Sequence, residues 1–128
     1  MTIVDASALF TALVAPDDRG HRARAALEDD LAAPSMLRAE VASAVRGESR
    51  SGRLDDEAAR RALRRSLGLA IRLHPAEPFL PRMWELRHNV TPYDAWYVAL
   101  AEALDAPLLT TDRRLARSTG VRCEVRVV

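Results

Sequence analysis

The start of the chain places a short apolar strand directly before a helix, with an acid between them. Thr2–Val4 contains two β-branched aliphatic residues and predicts a strand buried on both faces, whereas Ala6–Val14 has a helix-like composition. A strand that runs straight into a helix begins an α/β unit, and ligands gather beyond the carboxyl ends of such strands. Asp5 is therefore predicted at the site-forming edge of a parallel sheet, although an acid before a helix also serves as an N-cap without any chemistry.

Length and cysteine content limit the class of protein. With 128 residues, the chain fits one domain over residues 1–128 that can bury a proper core. The single cysteine, Cys123, excludes an intrachain disulfide framework and a cysteine-rich zinc site, and it is typical of a reducing compartment. No stretch is apolar for the length that a membrane helix needs, and the N-terminus has no secretory pattern. We therefore expect a cytoplasmic protein without a membrane segment.

The charge of the chain argues against a strongly basic nucleic-acid binder. The formal net charge is +1, and all 19 cationic residues are arginine. Arginine offers a planar donor fork that suits phosphate, but a lysine-free, alanine-rich composition is also what a GC-rich genome produces. Two Phe, two Tyr and two Trp are too few for an extended base-stacking platform. The most basic face belongs to the helix predicted at 55–69. Either this face contacts RNA phosphates or an acidic partner, or it is simply an exposed helix surface.

Strands and helices are predicted to alternate along the rest of the chain. Ser35 is a suitable N-cap for the third helix, and Met83, Trp84 and Leu86 are expected to pack inward from a shorter one. The short apolar runs between helices indicate buried strands. After the first pair of elements, the predicted helices occupy 17 to about 30, 36–50, 55–69, 82–88, 92–104 and 113–118, and the predicted strands occupy 31–33, 71–73, 107–110 and 123–128.

Two further acids stand at the start of helices. Asp112 follows an apolar strand just as Asp5 does, and parallel strands bring such residues to the same edge of a sheet. Asp94 lies in the first turn of a helix that begins with Thr91 as cap and Pro92 at its first position. Capping alone is the ordinary explanation for an acid in such a first turn.

Glu40 lies beside the apolar stripe of its predicted helix. This stripe includes Leu37, Val41 and Ala44, and the helical period places the Glu40 carboxylate next to it rather than opposite. An acid there must lie near a rim or have a partner. The ordinary explanation is a carboxylate that reaches solvent and pairs with Arg46 or another arginine.

The four acids Asp5, Glu40, Asp94 and Asp112 therefore share one predicted location. Carboxylates that lie close together raise one another's pKa, so such a cluster normally shares protons or binds cations. Oxygen ligands without histidine or cysteine favour Mg²⁺ or Mn²⁺ over zinc. With one or two such ions, the natural chemistry is phosphodiester hydrolysis, because the metal lowers the pKa of a water molecule and stabilises charge on the phosphate.

Four segments carry the acids in a fixed order along the chain. They are residues 2–9 (TIVDASAL), the helix that contains Glu40, residues 91–95 (TPYDA) and residues 109–115 (LTTDRRL). Together they resemble the PIN domains of the VapC type, and the resemblance extends over essentially the full chain. It implies an α/β fold with three layers, α/β/α, around a central parallel sheet. It also implies a Mg²⁺-dependent endoribonuclease that is the toxin of a type II toxin–antitoxin pair.

The resemblance implies catalytic and metal-binding roles for the acids. Asp5 and Asp94 would be metal ligands, Glu40 would be a ligand or a water-positioning acid, and Asp112 would be the fourth carboxylate. The implied cofactor is Mg²⁺, with Mn²⁺ as the other candidate. All four acids are present in the sequence, so nothing in it indicates an inactive member.

The resemblance also implies supporting residues and partners. Ser7 or Thr111 would hydrogen-bond within the site, and Arg113 and Arg114, which follow the fourth acid, are candidate RNA contacts. The implied partners are the RNA substrate and a small VapB-like antitoxin whose C-terminal segment covers the active-site groove. A homodimer and a toxin–antitoxin hetero-oligomer are implied as well.

Two other classes of protein remain as alternatives. In a non-catalytic protein-binding module of the same fold, the acids would serve only as caps and salt-bridge partners. An aspartyl-phosphate hydrolase or a receiver-like domain also places an acid after its first strand. The hydrolase needs a second acid two residues after Asp5, where this chain has Ser7, and the receiver needs a lysine, which this chain lacks.

Overall fold

The strands of the chain form one parallel sheet with the first strand at its centre. The computed structural model describes residues 1–27 and 30–128. Its strands are β1 (Thr2–Val4), β2 (Leu31–Pro34), β3 (Ile71–His74), β4 (Leu108–Thr110) and β5 (Val125–Val127). They lie in the order β3-β2-β1-β4-β5, and every pairing between neighbours is parallel. The prediction of a central parallel sheet is confirmed.

Helices cover both faces of this sheet. They are α1 (Ala6–Val14), α2 (Asp18–Ala26), α3 (Leu37–Arg50), α4 (Asp56–Gly68), α5 (Leu80–Glu85), α6 (Pro92–Ala103) and α7 (Arg113–Ala116), and a 3₁₀ turn at Glu77–Phe79 precedes α5. Helices α1 to α4 pack on one another, whereas α5 packs on α6, which lies against β1, β2 and β4. The layers are those of the predicted three-layer α/β/α fold.

The hydrophobic core is formed mainly by the central strands of the sheet and by α6. Ile3 and Val4 of β1 and Leu108 and Leu109 of β4 are at most 1% exposed. Such continuous burial is typical of parallel strands with helices on both faces. Five consecutive residues of α6, from Tyr97 to Ala101, are also buried. Helix α6 therefore passes through the core, which fixes the position of the acid in its first turn.

The predicted N-cap of α3 is wrong. The N-cap is Met36, which makes no capping hydrogen bond through its side chain. The Ser35 N–H instead donates to the His74 carbonyl oxygen at 2.9 Å, so it continues the pairing of β2 with β3. Strand β2 extends one residue beyond the predicted range 31–33, to Pro34. The pairing of β2 with β1 already ends at Ala32, so the missing N–H of Pro34 costs no bond on that side.

Several predicted boundaries differ from those observed. Helix α2 ends at Ala26 rather than near residue 30, with Leu27 in an extended conformation, and residues 28 and 29 lie outside the described ranges. Helix α7 and strand β5 are shorter than predicted. A hydrophobic pattern locates an element better than it locates the terminal turn, where few side chains contact the core.

The prediction for the region of α5 is wrong in its start and in one side chain. The helical segment begins earlier, because Pro78 and Pro81 each fit the first turn of a short helix. Leu86 is buried as expected, and Met83 is partly buried against the core. Trp84, in contrast, is 68% exposed, with the Arg87 guanidinium 4.5 Å from the centroid of its ring.

Arg82 joins α5 to α6 and to the chain before β5. Its Nε and Nη2 donate to the two Glu102 carboxylate oxygens at 2.7 and 3.1 Å. Nη2 also donates to the Gly120 carbonyl oxygen at 2.6 Å. Only 20% of the Arg82 side chain and 14% of the Glu102 side chain are exposed. This bidentate pair is therefore shielded from water far more than an ordinary surface ion pair.

Candidate active site

Asp5 lies at the carboxyl end of β1 and is nearly buried, with 9% of the residue exposed. Its Oδ1 accepts hydrogen bonds from the Ala8 N–H at 2.9 Å, which caps α1, and from the Ser7 hydroxyl at 2.6 Å. Burial raises the pKa of Asp5, hydrogen bonds from Ser7, Thr110 and Ala8 oppose the rise, and the charge of Asp94 adds to it. The capping role is therefore present, and it coexists with a poorly solvated carboxylate near a second acid.

A network of hydroxyl groups joins the end of β1 to the end of β4. Ser7 Oγ accepts the Thr111 N–H at 3.0 Å and lies 3.4 Å from Thr110 Oγ1. Thr110 is fully buried, and its Oγ1 accepts the Asp112 N–H at 3.0 Å. The Asp5 N–H in turn donates to the Leu109 carbonyl oxygen at 3.0 Å. The structure thus places the two strand-ending acids at the same edge of the sheet.

Glu40 projects from the first turn of α3 toward α6. Its Oε1 accepts a hydrogen bond from the Tyr97 hydroxyl at 2.7 Å. Burial raises the pKa of Glu40, the bond from Tyr97 lowers it, and the charges of Asp5 and Asp94 raise it further. Burial, followed by the bond to Glu40, raises the pKa of Tyr97, which therefore stays protonated at neutral pH. The expected ion pair with Arg46 is absent from the described residues, and Tyr97 is the partner instead.

Asp94 and Asp112 face each other across the start of α6 and α7. Thr91 caps α6 by accepting the Asp94 N–H at 3.3 Å, so capping does not require the Asp94 carboxylate. Burial raises the pKa of Asp94, a hydrogen bond from Thr91 lowers it, the charge of Asp112 raises it, and that of Arg114 lowers it. Asp112 caps α7 through the Arg114 N–H at 2.8 Å, and its Oδ1 lies 3.6 Å from Arg114 Nε.

The charges of the four acids act on one another, but the side chains do not form a closed cage. Within residues 1–27 and 30–128, no group of three or more His, Cys, Asp or Glu side chains is placed to hold a metal ion. Mg²⁺ usually keeps several waters and binds proteins through one or two carboxylates. Oxygen donors that repel one another therefore fit an open site for such an ion, because a cation would relieve the repulsion.

A cavity of about 500 Å³ opens beside Glu40. Its lining comes from α1, α3 and the residue after β4 and includes Ala6, Ser7, Phe10, Glu40, Ser43 and Thr111. Ser7 and Glu40 place polar groups at this surface, and Phe10 gives it an apolar side. We name this space the acid cavity.

The structure brings most of the predicted site residues to one place and adds two. Ser7 acts through its hydroxyl, whereas Thr111 contributes its backbone N–H to the network. Sequence reasoning missed Thr110 and Tyr97. Thr110 ends a strand that pairs with β1, and Tyr97 follows Asp94 by three positions on one face of α6, so both could have been found from the period of their elements.

Comparison with known proteins identifies the family. The family model for the PIN domain matches residues 2–120, a range that includes all four acids. Ribonuclease VapC1 of Mycobacterium tuberculosis is 43% identical over 128 residues, which cover 98% of this chain and 96% of that protein. The chain belongs to the VapC family of PIN-domain proteins.

Two other VapC proteins of Mycobacterium tuberculosis extend this comparison. Ribonuclease VapC9 is 38% identical to the chain, over 100% of its length and 98% of the relative. The crystal structure of VapC20, described as a sarcin–ricin loop cleaving toxin, superposes with a TM-score of 0.68 over 95% of this chain and 97% of that one. At 19% identity, this second likeness concerns the fold alone.

The basic face of this VapC-family chain lies on α4. Arg60 Nε pairs with Asp56 at 2.8 Å and Arg61 Nη1 with Glu57 at 3.9 Å, and all four side chains are largely exposed. These i,i+4 pairs reduce the positive charge of the helix. Contact of this face with RNA stays a prediction. In the described part of the chain, no helix combines the length and apolarity that crossing a membrane requires.

Proposed function

We propose that this VapC-family chain is a Mg²⁺-dependent endoribonuclease and the toxin of a toxin–antitoxin pair. Relatives that are 43% and 38% identical over nearly their full lengths are named ribonucleases. The observation that carries the proposal is the charge coupling of Asp5, Glu40 and Asp94 at the carboxyl edge of a parallel sheet. Such coupling is costly for a fold, and it is typical of sites that bind cations or transfer protons.

In this proposal Asp5 and Asp94 hold a divalent metal ion, Mg²⁺ or Mn²⁺, and Asp112 is the fourth carboxylate of the site. When bound, such an ion lowers the pKa of water and stabilises the negative charge of a phosphodiester. The bonds from Ser7 and Ala8 to the same oxygen fix the Asp5 carboxylate in one orientation. A fixed ligand loses little entropy on binding its ion.

Glu40 orients the attacking water and accepts its proton. Its raised pKa makes the carboxylate a stronger base than an ordinary glutamate, which favours this transfer near neutral pH. The Tyr97 hydroxyl occupies Oε1 of Glu40, so the bond also fixes the direction in which the second oxygen faces. The acid cavity beside Glu40 offers the space in which a single RNA strand reaches this carboxylate.

Cleavage of total RNA by the purified, antitoxin-free chain tests this function. We expect discrete cuts with Mg²⁺ or Mn²⁺ that disappear with EDTA and in the Asp5→Asn and Asp94→Asn variants, while circular dichroism shows both variants folded. Asp105→Asn is the matched control, because Asp105 precedes β4 and so lies at the opposite edge of the sheet. Its φ of 47° is one that asparagine adopts readily. Cleavage retained by folded Asp94→Asn would contradict the proposal.

Asp5 and Asp112 both cap helices, and this observation favours the alternative of a non-catalytic binding module. Calorimetric titration of the folded chain with Mn²⁺ separates the two functions. The nuclease has a specific site whose affinity falls in Asp5→Asn, whereas the binding module has none. The substitution preserves the cap, since asparagine and aspartate cap helices equally well.

A VapB-like antitoxin is the partner that this function requires. We place its C-terminal segment over the acid cavity, and we propose a homodimer of the toxin, a toxin–antitoxin hetero-oligomer and a cytoplasmic location. Co-expression with a candidate VapB-like antitoxin, followed by light scattering of the purified complex, measures how many copies of each chain the complex contains. Loss of RNA cleavage in that complex is the expected result.

A further inference from the structure

A second cavity, of about 570 Å³, adjoins the acid cavity and is lined by three arginines. Arg19 and Arg22 come from α2, and Arg113 comes from the start of α7. Thr11 and Thr111 line both cavities, so the two spaces share a wall. We name the second cavity the arginine pocket. Its position beside Thr111 places it next to the acids along the surface of the molecule.

The arginine pocket concentrates positively charged side chains. No acidic side chain is among its described lining residues. Arg19 is partly neutralised by Asp17, at 3.1 Å between Nε and Oδ2, but Arg22 and Arg113 form no ion pair within residues 1–27 and 30–128. Arg53, which lies outside this pocket, is in contrast neutralised by Glu48 through two hydrogen bonds. In the part of the chain that the structure describes, two guanidinium forks are therefore left without an acidic partner beside the acids.

We propose that the arginine pocket binds phosphate groups of the RNA strand on one side of the bond to be cleaved. This proposal rests on the proposed nuclease function and names the surface that positions its substrate. The carboxylates repel phosphate, so the strand needs attractive contacts beside them to remain in place. Guanidinium groups suit phosphate through their planar donor fork, and contacts to phosphate fix the register of a strand without reading its bases.

The chemistry of the arginine pocket favours RNA over an acidic protein segment. A protein interface normally contains buried aromatic or large apolar anchors. The described lining instead consists of guanidinium and hydroxyl groups, with Val127 and Val128 as its only apolar members. The wall shared with the acid cavity also makes one continuous path for a strand that reaches Glu40.

Salt-dependent binding of single-stranded RNA tests the pocket separately from catalysis. Fluorescence anisotropy of a labelled oligouridine, measured in EDTA, compares the wild-type chain with Arg22→Gln/Arg113→Gln. Each phosphate contact to a single strand contributes about 0.7 to the slope of log affinity against log salt, so the variant slope should fall by about 1.4. Between about 50 and 200 mM salt, the wild type should then lose about sevenfold more affinity than the variant.

Arg46→Gln/Arg50→Gln is the matched control, because it removes the same charge from exposed positions of α3 that line neither cavity. We expect its slope to equal that of the wild type. An equal fall in both double variants would overturn the proposal, because the effect would then come from net charge. An unchanged slope in Arg22→Gln/Arg113→Gln would overturn it as well.

Cleavage kinetics distinguish failure of the pocket from failure of the nuclease. With Mg²⁺, Arg22→Gln/Arg113→Gln should raise KM several-fold and leave kcat close to the wild-type value. Wild-type cleavage with an unchanged KM in the variant would refute the pocket and leave the nuclease intact. If the wild type cleaves no RNA, the nuclease fails, and the anisotropy slopes still decide whether the pocket binds RNA. Loss of antitoxin binding without loss of RNA binding would assign the pocket to the protein partner and refute the proposal.

Discussion

Tyr97→Phe is the substitution that most directly tests how the fold holds Glu40. Tyr97 is 2% exposed, and its hydroxyl donates to Glu40 Oε1 at 2.7 Å. The substitution removes this one donor and keeps the ring that fills the core. It therefore isolates the contribution of the hydrogen bond to stability and to the behaviour of the carboxylate.

The expected magnitude depends on the charge of Glu40. A hydrogen bond to a charged group contributes about 1.5–3 kcal/mol, and one between neutral groups about 0.5–1.5 kcal/mol. Where Glu40 is ionised, the variant should lose about 2 kcal/mol of unfolding free energy, and where Glu40 is protonated, about 1 kcal/mol. Loss of the donor raises the pKa of Glu40 in the folded state, since this bond lowers it in the wild type. The deficit of the variant should therefore grow as pH rises through the pKa of the carboxyl group.

Urea unfolding at about pH 4 and about pH 8 measures this difference between the two ionisation states. Tyr93→Phe is the control, because Tyr93 lies on the same helix and is 67% exposed. The low-pH limb of the cleavage rate should also move to higher pH in Tyr97→Phe and stay in place in Tyr93→Phe. Equal losses of stability at both pH values, together with an unmoved rate profile, would refute the reasoning.

Three further predictions concern stability. Without divalent ions, the unfolding free energy should fall as pH rises above the ordinary carboxyl range of about 4, because burial raises the pKa of Asp5, Glu40 and Asp94 in the folded chain. Mg²⁺ should restore it at the upper end only, and unfolding with and without EDTA checks both. Arg82→Gln should lower the unfolding free energy, measured in urea, by about 2–3 kcal/mol, because it leaves the shielded Glu102 carboxylate without its arginine. Arg60→Gln, which breaks an exposed pair, should lower it by less than about 1 kcal/mol. Equal losses in the two variants would contradict this reasoning. Gly20→Ala should lower the melting temperature, because a Cβ at this position would overlap the Ala15 carbonyl oxygen. An unchanged melting temperature would show that α1 and α2 can move apart at little cost.

The sequence was sufficient for the order of the elements and for the position of Asp5 and Asp112 at one edge of the sheet. Apolar runs followed by acids, as at Asp5 and Asp112, indicate strand ends, and parallel pairing then fixes their common edge. The hydroxyl network was harder to predict, because it depends on which of two neighbouring threonines faces inward. Thr110 is the buried one, whereas Thr111 uses its backbone N–H. A single position along the strand reverses that choice.

The failed predictions concern residues whose partners lie far away in the sequence. Tyr97, rather than Arg46 or another arginine, is the partner of Glu40, because α6 passes through the core. The helical period places Tyr97 on the face of Asp94, but it does not identify Glu40 as the acceptor. Ser35 has the composition of a cap, but its N–H belongs to a ladder with β3. Trp84 was expected to pack inward, whereas it packs against Arg87 on the surface.

The Asp5 carboxylate caps α1 and is also a proposed metal ligand, and these two roles affect which substitutions evolution can accept at position 5. Its Oδ1 closes the first turn of α1, and asparagine would do so equally well, so a chain that had given up catalysis would keep a cap-forming residue at position 5. Glu40 caps no helix, its burial opposes ionisation, and its contribution to the fold is to accept the hydrogen bond from Tyr97. A member that had lost its activity would therefore gain stability from an apolar residue at position 40 only together with Tyr97→Phe, because the buried Tyr97 hydroxyl would otherwise lose its acceptor. Among descendants of this chain, a joint change at positions 40 and 97 would record the loss of activity, and position 5 would record only the survival of the helix.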